Sequence, residues 1–332
     1  MKSLFLTSLI LIPQLVLGQV SNADRLKSIT ELRRFAFASC NHQTDAQPLW
    51  KEMISDAPDL FVWGGDNIYA NSKNPDDIRA SYQVQNQNED YQFFKAMTPI
   101  IGTWDDHDYG YNNGNGSFAA KRKSQEYLLD FLEEPKVSSR RIQDGIHTSY
   151  TFGEGAHKIK FILIDNRFFK DVDPFAPFLG QAQWTWLERE IAGSDAAINF
   201  IVSGLSVLSA PLPWSEEWAD YPVEQARLLY LIQKARLKGV MFLTGDKHFA
   251  SIFNGMGHLE FLSSGMTHNV RLPLRPYVKK KFPDAYFEFN YGLIDITWEN
   301  DVPTLSLAVR GVLGANARSK KVRWSGRQWK EI

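Results

Sequence analysis

The sequence predicts an α/β layered fold on two observations. Short apolar runs rich in β-branched and aromatic residues alternate with helical patterns, the signature of strands covered by helices. Most of these runs are followed at once by a polar cluster, as buried strands feeding loops would be. In chain order the expected strands cover 35–39, 60–63, 99–103, 160–164, 199–202, 239–243, 259–262, 291–298 and 304–309. Helical patterns lie between several of them, over 48–57, 89–97, 118–132, 181–191 and 223–238. The last third changes character. Strands there follow one another, with turns at Asn254-Gly255 and Glu299-Asn300, which suits an antiparallel or mixed second sheet. No repeat, low-complexity tract or linker divides the chain, so residues 19–332 are expected to form a single domain.

Composition narrows the function classes. With 332 residues, 44% hydrophobic and 23% charged, the chain can bury a sizeable core and does not read as disordered, collagen-like or coiled coil. Lys plus Arg number 37 against 38 acidic residues, so there is no bulk attraction to nucleic acid or to an anionic membrane. Neither is expected as a default partner, and no obligate protein partner is evident. Locally the C-terminal part is basic, at Lys279-Lys280-Lys281 and at Arg318, Lys320, Lys321, Arg323, Arg327 and Lys330, which reads as a solvated face.

Residues 1–18 have one early positive charge at Lys2, an apolar stretch and a small residue, Gly18, at its exit, the pattern of a secretory signal peptide. The stretch is interrupted by Pro13 and Gln14 and is too short for a stable membrane span. A secreted or periplasmic protein is expected. In such a compartment an unpaired thiol is a liability unless it is buried or bound, and Cys40 is the chain's single cysteine.

The polar clusters after the strands carry metal-ligand types: Cys40-Asn41-His42, Asp66-Asn67-Ile68-Tyr69, Asp105-Asp106-His107-Asp108, Asp165-Asn166-Arg167 and Asp246-Lys247-His248. Any one Asp after a strand is commonly a turn former or helix cap. Five clusters together are harder to dismiss. In α/β proteins ligands gather at the carboxyl ends of strands, and strands sharing one sheet would bring all five ends to one cleft. So many carboxylates would repel one another unless cations neutralise them.

These segments resemble a known family. Ala38-Ser39-Cys40, Gly64-Gly65-Asp66-Asn67-Ile68-Tyr69, Trp104-Asp105-Asp106-His107-Asp108-Tyr109-Gly110, Asp165 with Arg167, the segments 179–187 and 218–229, and Thr244-Gly245-Asp246-Lys247-His248 are similar to the catalytic domain of alkaline phosphatase D-like (PhoD-like) metallophosphatases. That resemblance implies a calcineurin-like metallophosphoesterase fold, a layered β-sandwich flanked by helices with mixed sheets. It also implies hydrolysis of phosphate monoesters or diesters with two or more metal ions, iron beside calcium. Asp66 is then the bridging carboxylate, Cys40 and Tyr69 ligands of the tighter ion, and Asp106, Asp246 and His248 further ligands. His107 would be the general acid and Arg167 the phosphate clamp. Rival readings are an enzyme for lipid or polymer phosphodiesters, and a non-catalytic exported metal-binding protein.

His42 competes with Tyr69 for the same ion, and the spacing of Tyr69 from Asp66 favours the tyrosine. No histidine lies within 199–209, which offers only Ser203, Ser206 and Ser209 as further ligands. His147, His157 and His258 are expected as surface turn residues, while His268 follows a strand and could face the cleft. Specificity is expected to lie in loops over 71–88 and 210–221.

Overall fold

The structure, a computed structural model, describes residues 20–173 and 175–332. The expected signal peptide over 1–18 lies outside the described residues. The chain begins with α1 (Asn22–Ser28), β1 (Arg34–Ala38), α2 (Leu49–Asp56), β2 (Leu60–Gly64), α3 (Pro75–Gln87), α4 (Glu89–Met97), β3 (Ile100–Thr103), α5 (Asp106–Tyr109) and α6 (Lys121–Phe131). It continues with β4 (Thr148–Phe152), β5 (Ile159–Leu163), α7 (Gly180–Ala192), β6 (Ile198–Ser203), α8 (Pro222–Ala235) and β7 (Val240–Thr244). The last third holds β8 (Ala250–Gly255), β9 (His258–Ser263), α9 (Arg275–Lys281), β10 (Tyr291–Glu299), β11 (Val302–Arg310), β12 (Asn316–Trp324) and β13 (Trp329–Glu331).

The strands form two mixed sheets, one ordered β13-β12-β11-β10-β1-β2-β3 and the other β4-β5-β6-β7-β9-β8. Strands β1, β2 and β3 run parallel in the first; β5, β6, β7 and β9 run parallel in the second. The near-continuous apolar runs of these strands follow from burial on both faces. Inward residues of the two sheets interlock in one core: Phe35 meets Phe161 and Phe200 edge-on at centroid distances of 5.1 and 4.9 Å, and Phe37 meets Phe261 at 4.9 Å. The outer face of the first sheet packs Trp63 and Phe61 against Trp50, Tyr91 and Phe94 of α2 and α4. On the outer face of the second, Ile162, Ile201 and Phe242 pack with Trp184, Leu187 and Leu228 of α7 and α8. The architecture is therefore helix, sheet, sheet, helix.

Three expectations need correction. The five ligand-bearing strand ends do not share one sheet; three belong to the first and two to the second. They still converge, because the parallel strands of both sheets end at the same edge of the sandwich. Thr103 Oγ1, at the end of β3, donates to the Ile164 carbonyl after β5 (2.8 Å), and the Met266 amide after β9 donates to the Ser39 carbonyl after β1 (3.2 Å). Second, much of 71–88 is helix rather than loop. Asn74 caps α3 by accepting from the Asp76 amide, Pro75 occupies its first turn, and Asp76 and Asp77 face its positive end. Third, His147 is not a surface residue: it is buried against Trp186, and burial pushes its imidazole down to about 4 against the opposing influence of Asp165.

Because Phe35 bridges the two sheets, Phe35→Ala is expected to cost about 3–5 kcal/mol of stability, read as a lowered urea midpoint at unchanged slope. Val137→Ala, at a side chain 96% exposed, should move stability by less than about 0.5 kcal/mol.

Candidate metal centre

The site is built where the parallel strands stop, and the backbone there is strained. Cys40, Asp66, Asp246 and His248 all adopt positive φ, at 61°, 50°, 74° and 60°. Non-glycine residues in this region carry strain, and such residues concentrate at functional sites. Gly65, at φ 102°, lets the Asp66 turn close against the next strand end, since a Cβ there would lie 2.9 Å from that of Asp105.

Three groups of potential ligands result: Cys40, Asp66 and His248; Asp66, Asp106 and His107; and Asp105, Asp106 and Asp246. Within each, one ligand atom per residue lies within 4.8 Å of the others. Asp66 belongs to the first two groups, as a bridging carboxylate would. Its Oδ2 accepts from the Tyr69 hydroxyl at 3.0 Å and lies 3.5 Å from the Cys40 sulfur, and the same hydroxyl is 3.0 Å from His248 Nε2. Tyr69 is thus part of the first group. His42 stands apart, with Nδ1 3.6 Å from Asp45 and its ring 5.6 Å from that of Tyr69. His268 does face the cleft, stacked on Tyr69 at 4.2 Å. The hydroxyls of Ser203 and Ser206 are engaged with Asn166 and Glu260.

The donor set fits cations. Asp105 Oδ2, Asp106 Oδ1 and Asp246 Oδ2 are buried and find no hydrogen-bond partner among the described residues. Burial first, and then the neighbouring carboxylates, push Asp66 well above the usual carboxylate range. Burial also raises Asp105 and Asp246, against the opposing pull of Arg167 and Lys247 respectively. Burial likewise pushes the Cys40 thiol and Tyr69 phenol well up, with Asp66 adding to both. Cations placed among these oxygens would reverse the balance and hold the groups ionised. A thiolate with a phenolate suits a soft or trivalent ion, whereas the all-carboxylate group suits a hard one.

Not every acidic residue of the clusters is available. Both Asp108 oxygens accept backbone amides, from Asp105 (2.7 Å) and Asn67 (3.1 Å). Asp165 is likewise consumed, by the Trp104 indole, the Ile146 amide and the amides of Arg167 and Phe168. Arg167, expected as a phosphate clamp, is fully buried. Its guanidinium binds Asp105 Oδ1 (2.6 Å) and Glu216 Oε2 (2.5 Å), and its Nη2 is 3.9 Å from Asp106 Oδ1. The planar fork is therefore occupied by protein carboxylates, and the charge of Arg167 reaches the pocket through Asp105 and Asp106. Sequence reasoning missed Glu216, which has no motif to mark it.

A layered sandwich with this acidic, sulfur-containing cluster at its strand ends defines a metallophosphoesterase. The profile of the PhoD-like phosphatases matches residues 35–260, and the chain belongs to that family. Among solved structures it is similar to that of PhoD, at 18% identity and a TM-score of 0.72 over 91% of this chain and 72% of the other. It is also similar to a dimetal phosphatase from Danio rerio (13% identity, TM-score 0.55, 89% and 100% covered) and to GAP50, the anchor in the inner membrane complex of Plasmodium (12%, 0.58, 88% and 89%). No curated protein matches the chain by sequence.

Cys40→Ser replaces the thiolate donor at little change in size and should remove most of the tighter ion, with a loss of activity. Metal analysis of the purified variant checks this. Wild-type metal content in the variant would return Cys40 to the role of a small buried hydrophobe.

Proposed function

We propose that this chain is an exported phosphoesterase, one catalytic domain over 19–332 released from a signal peptide over 1–18, hydrolysing phosphate monoesters or diesters with iron beside calcium. The observation that supports the reading is a run of three ligand groups, in which Asp66 joins the sulfur-containing group to Asp106 and Asp106 joins that group to the carboxylates of Asp105 and Asp246. Cys40, Tyr69 and His248 would hold the softer or trivalent ion, and Asp106 with Asp246 the harder one. Bound there, the ions would supply an acidified water and offset the charge on the phosphoryl oxygens, so no covalent enzyme intermediate is needed. The absence of a membrane-spanning helix among the described residues is compatible with release outside the cell.

His107 is the proposed general acid. Its ring lines the cleft, stacked on Tyr69 at 4.2 Å and 27°, while its amide donates to Asp66 Oδ1 at 3.3 Å. The stack fixes the imidazole plane, which is what a proton donor to a leaving oxygen requires. Because His107 is also within ligand distance of Asp66 and Asp106, a metal-binding role is the alternative to test. The fold does not by itself imply catalysis, since one similar structure is that of an anchor protein. In this chain the ligand groups and His107 supply the chemistry that the fold alone does not.

Protein purified without chelator should contain iron and calcium and turn over nitrophenyl phosphate, its bis-ester, or both; their ratio separates monoesterase from diesterase. Metal without turnover of any phosphate ester would favour a binding protein. His107→Ala should keep both metals and lose on the order of a hundredfold or more in turnover of an alkyl phosphate. The loss should be clearly smaller on nitrophenyl phosphate, whose leaving group needs little protonation. Loss of metal, or equal losses on both substrates, would make His107 a ligand or structural group.

A further inference from the structure

The cleft that contains Asp66, Asp106, His107, Asp246 and His248 has a volume of about 400 Å³, and away from those groups its wall mixes polar residues, among them Asn112, Asn269 and Arg271, with apolar ones. Trp214, Val270 and Leu274 line it. Trp214 sits on a segment, 210–217, that is fastened from several directions. Leu212 is buried with Phe249, Val278 and Phe282. Glu216 binds Arg167 and Lys170, and the next residue, Glu217, binds Lys247 and accepts from Ser215 and the Leu212 amide. Lys247 in turn lies between Asp246 and His248 in the chain. Lys281 of α9 donates to the Pro211 carbonyl, and Pro211 and Pro213 stiffen the backbone. The indole leans on Tyr277, centroids 5.4 Å apart, yet remains 44% exposed.

A large aromatic surface held rigid and left open beside a reactive centre is a binding surface whose ordering cost is already met by the fold. Phosphate is served by the ligand groups and by the cleft-lining Arg271, and it has no use for the ring face of Trp214. We infer that Trp214, with Val270 and Leu274, is a specificity subsite for the organic part of the substrate. The substrates would be phosphate esters of apolar or aromatic alcohols rather than of small polar ones. The inference rests on the phosphoesterase reading for its reaction but not for its binding surface, so the two can be tested apart.

Benzyl and methyl phosphate release alcohols of similar acidity and differ mainly in the apolar group, as do the non-hydrolysable benzyl- and methylphosphonate. The metal-loaded enzyme should prefer the benzyl member by on the order of tenfold, in kcat/KM for the esters and in Kd by calorimetry for the phosphonates. In Trp214→Ala both ratios should fall to within roughly threefold of unity, and Trp214→Phe should restore most of the preference. Circular dichroism checks that each variant is folded. Equal treatment of the two groups by the wild type, or a preference that survives in Trp214→Ala, overturns the subsite. If neither ester is hydrolysed while benzylphosphonate still binds better in a Trp214-dependent way, the phosphoesterase reading fails and the subsite stands.

Discussion

An excess of negative charge in a dry pocket is the constraint on which the rest of the structure depends. Asp66, Asp105, Asp106 and Asp108 are buried at one edge of the sandwich with the partly buried Asp246, and the buried cations beside them are Arg167, Lys170 and Lys247. Several of these acids are partly satisfied by other means: Asp108 by backbone amides, Asp105 by Arg167, Asp106 by the Asn113 amide, and Asp66 by the Tyr69 hydroxyl and the His107 amide. The basic residues are themselves shared with Glu216 and Glu217. What remains, centred on Asp66 and Asp246, is charge that the protein alone does not balance, whereas, against its burial, Arg167, His107 and the Asn113 amide hold Asp106 below the usual carboxylate range. A buried carboxylate without counter-charge takes up a proton instead of ionising, so the pocket acquires its working charge state together with its metal ions.

The same constraint accounts for the unusual backbone. Bringing carboxylates from separate strand ends close together requires each chain to turn sharply as its strand stops. Four proposed ligands therefore hold left-handed conformations that a side chain disfavours. Those turns are held from behind. The Cys40 and Asn41 amides reach the Gly65 and Asp66 carbonyls, the Thr267 amide reaches the Cys40 carbonyl, and the Gly245 amide reaches the Gly204 carbonyl. Rings pack over them, with Tyr69 stacked between His107 and His268. Ligand geometry is thus fixed largely by rigid strand ends, the condition for a preorganised site.

Much of this was legible in the sequence because it is local. Strand runs such as 60–63 and 239–243 are continuous apolar segments, and the polar clusters follow them directly, so the position of each candidate ligand at a strand end could be read without knowing the fold. What could not be read depends on residues far apart in the chain. Nothing in Arg167 announces that Glu216, 49 positions away, occupies its guanidinium, nor that Trp186 covers His147. The division of the five clusters between two sheets is likewise a matter of pairing, and strand pairing leaves little trace in a single sequence. The helix at α3 is a different kind of omission. Its start signals, Asn74, Pro75 and two aspartates, are written in the chain, but its weak apolar periodicity reads as loop.

The position of β1 has a consequence for how the molecule comes into being. This strand is parallel to β2 on one side and antiparallel to β10 on the other, where Arg34 reaches Asp295, 261 residues away in the chain. Every proposed ligand has been synthesised by His248, yet β1 then still has a bare edge, and the Asn290 that holds Ser263 and Gly265 in place does not yet exist. Synthesis order and assembly order therefore differ. A nascent chain that began to fold early would display an unpaired strand, a template for pairing with its neighbours, for as long as the C-terminal strands were delayed. The first strand of the molecule is completed by one of the last, and productive folding favours keeping the chain open until both are present.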